Sequence, residues 1–115
     1  MHEASTLKHT WEFSRIITEG RSVSHRLLVL YISSAGPSIR FGICVGKKIG
    51  SSVARNRIKR KLREIVRLNI NRISPGWDFV LVARAPSSNA AFHLLQEGFL
   101  EVCARAGILN ERQER

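Results

Sequence analysis

The segment 55–67, RNRIKRKLREIVR, combines dense positive charge with a helical apolar pattern. It carries seven Lys or Arg residues against a single acid, Glu64. Its large apolar residues recur at spacings of three and four, which places them in one stripe along a helix. These residues are Ile58, Leu62, Ile65 and Val66. A helix with a buried stripe and a cationic exterior suits a polyanion, of which RNA and DNA are the usual examples.

Four polar residues of the same segment share a second helical face, because spacings of four, three and four separate them. They are Asn56, Arg60, Arg63 and Arg67. Arginine binds phosphate bidentately, and asparagine can reach a phosphate or a 2′-hydroxyl. Arg55 and Arg57 fall in the first turn, where the helix dipole disfavours cations, so their placement favours a binding purpose. The alternative is a solvated cationic surface.

The positive charge of the chain is concentrated in this region. The 115 residues contain 19 Lys or Arg and 9 Asp or Glu, a net charge of +10. Residues 47–67 alone hold nine cations and one acid, a balance of +8. The length predicts a single domain over residues 1–115 that can bury its own core, with loose ends at residues 1–8 and 110–115.

Several other functions are disfavoured by the sequence. No apolar run is long enough to span a bilayer or to act as a signal peptide, which favours the cytoplasm and no membrane partner. Cys44 and Cys103 have no neighbours at metal-ligand spacing, and neither do the four histidines, so we expect no metal site. No pattern indicates a small-molecule substrate or a cofactor bound by the protein.

A self-sufficient nuclease would need acids to hold metals or to act as a base. The candidates Glu12, Glu19, Glu64 and Asp78 lie scattered among different predicted elements. There is also no Ser-His-Asp pattern and no Walker loop. We therefore expect no catalytic residue in this chain.

Apolar periodicity and turn residues predict seven elements. They are a helix over 11–18, a short edge strand over 21–24, strands over 26–33 and 39–46, a long helix over 53–71, a strand over 77–84 and a helix over 90–106. The strands 26–33 and 39–46 are predicted to form an antiparallel hairpin, and 39–46 to run parallel to 77–84. The fold class is α+β, a two-layer sandwich in the order α-β-β-β-α-β-α. Its sheet is small, four-stranded and mostly antiparallel, and three helices pack on it.

The open face of this sheet is a second candidate binding surface. Val29 and Tyr31 point to the same side of their strand, and Phe13 and Ile17 on the first helix can flank them. An apolar and aromatic trough beside a basic rim suits single-stranded RNA, whose bases stack on aromatic side chains. Lys47 and Lys48 directly follow the second long strand and belong to that rim. The alternatives are ordinary core packing for the apolar residues and a solvated loop for the lysines.

Residues 45–63, VGKKIGSSVARNRIKRKLR, closely resemble the protein subunit of bacterial ribonuclease P. That family's signature is Lys-Lys-x-Gly, a short spacer and then Arg-Asn-Arg-x-Lys-Arg. It matches here at Lys47, Lys48, Gly50, Arg55, Asn56, Arg57, Lys59 and Arg60. Residues 12–13, 20–24, 29–31 and 83–86 also look like their family counterparts. The resemblance covers residues 7–109.

The resemblance implies a small basic accessory to a large catalytic RNA, which together remove the 5′ leader from precursor tRNA. The RNA and its bound Mg²⁺ perform the chemistry. The RNA-binding residues implied near the active centre are Arg55, Asn56, Arg57, Lys59, Arg60 and Arg63, and a cleft on the sheet would hold the leader. The implied fold is like that of ribosomal protein S5 domain 2, with a rare left-handed crossover between the parallel strands.

The sequence departs from the common family pattern in places. Ile17 stands where a second Phe is frequent, and His25 where Asn is frequent. The basic residues that usually precede the first helix are reduced to Lys8 and His9. A structural RNA-binding protein, such as a ribosomal one, is the alternative function, and the signature segment disfavours it.

Overall fold

The computed structural model describes residues 4–110, which form five strands and three α-helices. The strands are β1 (Ala4–Thr6), β2 (Arg21–Ser24), β3 (Leu28–Ser34), β4 (Ile39–Cys44) and β5 (Trp77–Ala83). The helices are α1 (Thr10–Glu19), α2 (Ser52–Asn69) and α3 (Phe92–Ala106). Short 3₁₀ turns occur at Lys47–Ile49, Ile70–Arg72 and Ala85–Asn89. The α+β class is confirmed, and so are the predicted helices and strands within a few residues at their ends.

All five strands join one mixed sheet in the order β1-β4-β5-β3-β2. β4 runs parallel to both β1 and β5, whereas β3 runs antiparallel to both β5 and β2. The predicted parallel pairing of β4 with β5, across α2, is confirmed. The description "mostly antiparallel" is wrong, because the four pairings are evenly divided. The left-handed sense of the crossover stays a prediction.

β1 is a fifth strand that the sequence analysis does not predict. Its residues lie in the segment expected to be loose, yet they pair with the first half of β4. The following residue, Leu7, is buried, and its N–H donates to the Phe41 carbonyl at 2.8 Å. The tripeptide Ala-Ser-Thr has no apolar alternation to reveal a strand. Backbone hydrogen bonding to the otherwise free edge of β4 accounts for it. The remaining loose-end residues, 1–3 and 111–115, lie outside the described part of the chain.

The predicted hairpin of β3 and β4 is also wrong, because β5 lies between them. Residues 78–81 of β5 are all buried, so the strand with the longest buried run occupies the centre of the sheet. The loop after β3 therefore passes over the end of β5, where the Ala35 N–H donates to the Gly76 carbonyl at 2.8 Å. A short loop between two strands does not by itself require them to be neighbours.

The main core lies between the sheet and the helices α2 and α3. Leu30, Phe79 and Leu81 project into it from the strands and are fully buried. Successive strand residues face opposite sides, so Asp78, Val80 and Val82 point the other way. Helix α1 covers part of that second face, packing Ile16 against Val80. The molecule is therefore three-layered rather than two-layered. The reason is that α1 connects β1 and β2, which lie at opposite edges, and so crosses the sheet.

Close packing against His25 explains why α3 contains a glycine, Gly98. Glycine costs a helix about 1 kcal/mol relative to alanine. A Cβ on Gly98 would lie 2.9 Å from Cε1 of His25. The His25 ring is held there, since its Nδ1 accepts the Leu27 N–H at 3.0 Å and its Nε2 lies 3.7 Å from Glu101. The imidazole thus occupies the space that any side chain at position 98 would need.

We expect Gly98→Ala to destabilise the protein, although the same change stabilises an open helix. The added methyl group must displace the imidazole and break its hydrogen bond to the backbone. Urea unfolding of Gly98→Ala in the wild-type and His25→Ala backgrounds measures this. Alanine at 98 should lower the free energy of unfolding in the first background and raise it in the second. Stabilisation in both would show that the ring does not constrain this position.

Candidate nucleic-acid interface

Helix α2 is oriented by the burial of its apolar stripe. The Ser51 side chain begins the helix by accepting the Ala54 N–H at 3.1 Å. Ile58, Leu62, Ile65 and Val66 are at most 2% exposed, packed in the main core. Fully burying a side chain of this size contributes about 1.5–3 kcal/mol. Four such residues leave the helix a single rotational setting about its axis, and the cations take the outward faces.

The predicted polar face of α2 is exposed as a whole. Asn56, Arg60, Arg63 and Arg67 are exposed, and Arg57 joins them. Three of these arginines form no ion pair within residues 4–110: Arg57, Arg60 and Arg63. Three uncompensated guanidinium groups on one short surface repel one another. This arrangement attracts an anionic partner.

The other cations of α2 differ in their surroundings. Arg55 and Lys59 are half-buried, and the Arg55 Nε donates to the Ser51 carbonyl at 3.4 Å. Lys61, which the sequence analysis does not assign to the interface, donates to the Ala90 carbonyl at 3.2 Å and so faces α3. Arg67 forms a bidentate pair with Glu64, with nitrogen–oxygen distances of 2.5 and 3.0 Å. This pairing lowers the pKa of Glu64 and leaves Arg67 partly neutralised.

The residues predicted to line the trough lie together on the second face of the sheet. Phe13, Ile17 and Tyr31 are half-buried and pack around Ile16 and Val80. Two further half-buried residues belong to the same cluster and were not predicted: Cys44 and Val82. Strand alternation could have revealed both, because Cys44 lies two residues after Gly42 and Val82 lies two residues after Val80, and both of those residues belong to this face. Phe13, Ile17 and Tyr31, three of the four predicted side chains, are therefore brought together.

Gly42 explains how Phe13 reaches the sheet. A Cβ at this position would lie 2.3 Å from Cε2 of Phe13, so the ring rests directly on the glycine backbone. Val29 lies on the same face, because it is opposite Val82, which is opposite Cys44 in turn. This row of side chains forms the part of the trough floor furthest along β4.

The lysines stand at the end of the trough rather than within it. Lys47 and Lys48 are exposed in the 3₁₀ turn that follows β4. Burial raises the pKa of the Cys44 thiol on this face, and the positive charge of Lys59 opposes that rise. Phe13 and Gly42 line one pocket together with Arg63 of α2, so the basic helix and the trough adjoin.

A partly buried ion cluster fixes α1, and with it one wall of the trough. Arg40 donates to Glu12 at 2.7 Å and to Asp78 at 2.6 and 3.2 Å. Arg15 reaches Asp78 at 3.5 Å. Glu12 also accepts the N–H groups of Lys8 and of the residue before α1, and its pKa lies below its ordinary value, chiefly because of Arg40.

This cluster corrects the expectation that Glu12 and Asp78 are scattered. They converge, but on a guanidinium that neutralises them. Among the described residues, no group of three His, Cys, Asp or Glu side chains could hold a metal ion. Between residues 4 and 110, no helix is long and apolar enough to cross a membrane.

Comparison with known proteins agrees with this geometry. The family model for ribonuclease P matches residues 1–107. The ribonuclease P protein component of Natranaerobius thermophilus is 36% identical over 112 residues, covering 96% of this chain and 97% of the relative. That of Caldanaerobacter subterraneus is 39% identical over 108 residues, covering 93% of each.

The chain belongs to the ribonuclease P protein family. Solved structures agree. The ribonuclease P protein of Staphylococcus aureus superimposes with a TM-score of 0.85 at 32% identity, covering 94% of this chain and all of the other. The Thermotoga maritima protein gives a TM-score of 0.80 at 31% identity, covering 87% and 96%.

Membership in the ribonuclease P protein family assigns the chain its general role. It is the accessory protein subunit of a tRNA-processing endoribonuclease and a partner of the ribonuclease P RNA. The predicted family is thereby confirmed, and the ribosomal alternative is not favoured. The comparisons leave the role of each site residue as a prediction.

We expect Arg40→Met to destabilise the protein and loosen α1, because the substitution leaves the Asp78 carboxylate buried without its main partner. Breaking a fully buried pair costs about 3–5 kcal/mol, and we expect about 2 kcal/mol or more here because Arg40 is partly exposed. Urea unfolding at neutral pH measures the loss. Arg15→Met is the matched control, and its single longer contact predicts a smaller loss. Equal losses would contradict the anchoring role of Arg40.

The lowered pKa of Glu12 makes part of this stability depend on pH. A carboxyl whose pKa is lower in the folded state stabilises the fold above its ordinary value, near 4.5, and loses that contribution as the pH falls. The wild-type protein should therefore lose more stability than Arg40→Met as the pH is lowered through 4.5. Parallel pH profiles of the two proteins would contradict this.

Proposed function

We propose that α2 binds the catalytic RNA of ribonuclease P. The observation that carries this proposal is the row of exposed, uncompensated arginines held outward by the buried stripe of α2. RNA crowds phosphates together as it folds, and an array of fixed guanidinium groups lowers their repulsion. The contact residues in this proposal are Arg55, Asn56, Arg57, Lys59, Arg60, Arg63 and Arg67.

The trough then holds the 5′ leader of precursor tRNA. Its walls and floor come from Phe13, Ile17, Val29 and Tyr31, and Lys47 and Lys48 stand where the leader's backbone would leave the sheet. Unpaired bases can stack on exposed aromatic and apolar surface, and this needs no fixed sequence. Since mature tRNA lacks the leader, such a site favours the precursor and aids release of the product.

Catalysis in this proposal belongs to the RNA and its Mg²⁺. The protein contributes cations that reduce the repulsion among phosphates, which lets the RNA fold and fill its own metal sites at a lower Mg²⁺ concentration. It binds no cofactor itself, and its partners are the catalytic RNA and precursor tRNA. This work takes place in the cytoplasm, where tRNA precursors are made.

Removing one contact arginine should change how salt affects binding. The logarithm of RNA affinity should fall linearly with the logarithm of salt concentration, by about 0.7–0.9 per phosphate contacted. We expect Arg60→Ala to make that slope shallower by about one contact while the melting temperature stays unchanged. Filter binding across a range of KCl concentrations measures it.

Arg67→Ala is the matched comparison for Arg60→Ala. Glu64 already pairs with Arg67. Removing the Arg67 side chain should therefore change the salt dependence of RNA affinity less than removing that of Arg60. A slope that neither substitution alters would mean that another surface binds the RNA. A large fall in melting temperature for Arg60→Ala would show that this side chain supports the fold.

Tyr31→Ala should weaken binding of precursor tRNA by about tenfold, the value of one lost stacking contact, and leave binding of mature tRNA unchanged. The assay is the affinity of the assembled ribonucleoprotein for each tRNA. Tyr31→Phe keeps the ring and should retain the preference for the precursor. Equal weakening for both tRNAs would exclude the trough as the leader site.

A further inference from the structure

A separate groove lies on the opposite side of β1 from the ion cluster. Its volume is about 340 Å³, and it separates β1 from the C-terminal half of α2. Phe41, Val66 and Ile70 give it an apolar floor, and Ala4 and Thr6 form the wall along β1. Most of the groove is therefore apolar, although it opens onto a strongly cationic surface.

The rim of this groove consists of arginines. Arg63 and Arg67 line it, and both belong to the exposed polar face of α2. Arg67 donates two hydrogen bonds to Glu64, and this pairing orients its guanidinium group beside the groove. A guanidinium paired with a carboxylate neutralises phosphate less well than an unpaired one. It is well placed to stack on a flat ring, which is a common use of arginine in RNA recognition.

The groove also continues toward the trough. A neighbouring pocket of about 270 Å³ shares Thr6, Phe41 and Arg63 with it and extends to Phe13 and Gly42. This continuity exists because β1 pairs only with the first half of β4, leaving the rest of that edge uncovered. The groove therefore lies beside the proposed RNA-binding face and leads toward the proposed leader site.

We propose that this groove binds one unstacked nucleobase of the catalytic RNA. The inference rests on the proposed function of α2, since the base would belong to the RNA whose phosphates the α2 arginines contact. An apolar cavity with a fixed arginine at its rim matches a flat, largely apolar ring attached to an anionic backbone. The volume exceeds that of one base and leaves room for part of its sugar.

A second copy of this chain is a poorer occupant. In a symmetric dimer the same surface patch meets itself, so Arg63 and Arg67 of two copies would face one another. Like charges opposed in this way disfavour the contact. A strongly cationic protein therefore favours an anionic ligand at this rim.

The test fills the groove without changing any charge. Ala4→Phe places a ring in the space that the base would occupy, and Ser5→Phe adds the same ring on the other side of β1. We expect Ala4→Phe to weaken binding of a bacterial ribonuclease P RNA by about tenfold, with the salt slope unchanged. Ser5→Phe should bind within about twofold of wild type.

Equal affinities for the two variants would overturn the proposal. A loss accompanied by a shallower salt slope would also overturn it, since the groove would then serve backbone phosphate. Melting curves check the fold, and Ala4→Leu replaces Ala4→Phe if the larger ring unfolds the protein.

Chemical probing of the bases supplies a second readout. An unpaired base protected by wild type and by Ser5→Phe should become reactive again with Ala4→Phe. The absence of any such base would overturn the proposal. The binding role of α2 is tested separately, because Arg60→Ala would still alter the salt slope if only the groove proposal failed.

Discussion

Burial of one apolar stripe determines most of what this protein can do. Because Ile58, Leu62, Ile65 and Val66 pack in the core, most of the cations of α2 lie on the surface. The cost is mutual repulsion and unfavourable charge at the helix N-terminus. Burial in the core offsets this destabilisation, and binding of an anionic partner would reduce the repulsion. Stability and the proposed RNA binding thus depend on opposite sides of one helix.

The trough depends on a different constraint. α1 crosses the second face of the sheet with Ile16 as its fully buried apolar residue, and Arg40 attaches it through Glu12 and Asp78. The absence of a side chain at Gly42 then lets the Phe13 ring approach β4 closely. The Arg40 ion pairs and the close contact of Phe13 with Gly42 together position this aromatic side chain beside the trough. Part of the second face of the sheet is left uncovered.

Much of the fold could be predicted because its main elements have strong internal patterns. The stripe of α2 specified both its existence and its exposed face, and the alternation in β3 placed Val29 and Tyr31 together. β1 could not be predicted, since Ala4–Thr6 has no pattern and forms through pairing alone. The Arg40 cluster could not be predicted, because Glu12, Arg40 and Asp78 lie far apart in the sequence and meet only in the folded chain. The Glu64–Arg67 pair, by contrast, was available from its i,i+3 spacing.

The central claim is that the outward arginines of α2 serve the catalytic RNA. Cleavage of precursor tRNA at low Mg²⁺ tests it most directly, using RNA alone, protein alone, both together, and RNA with a variant in which Arg57, Arg60 and Arg63 are alanine. Cleavage should require both components and should fail with the variant, although the variant melts like wild type. Cleavage by the protein alone, or full activity of the variant, would contradict the account.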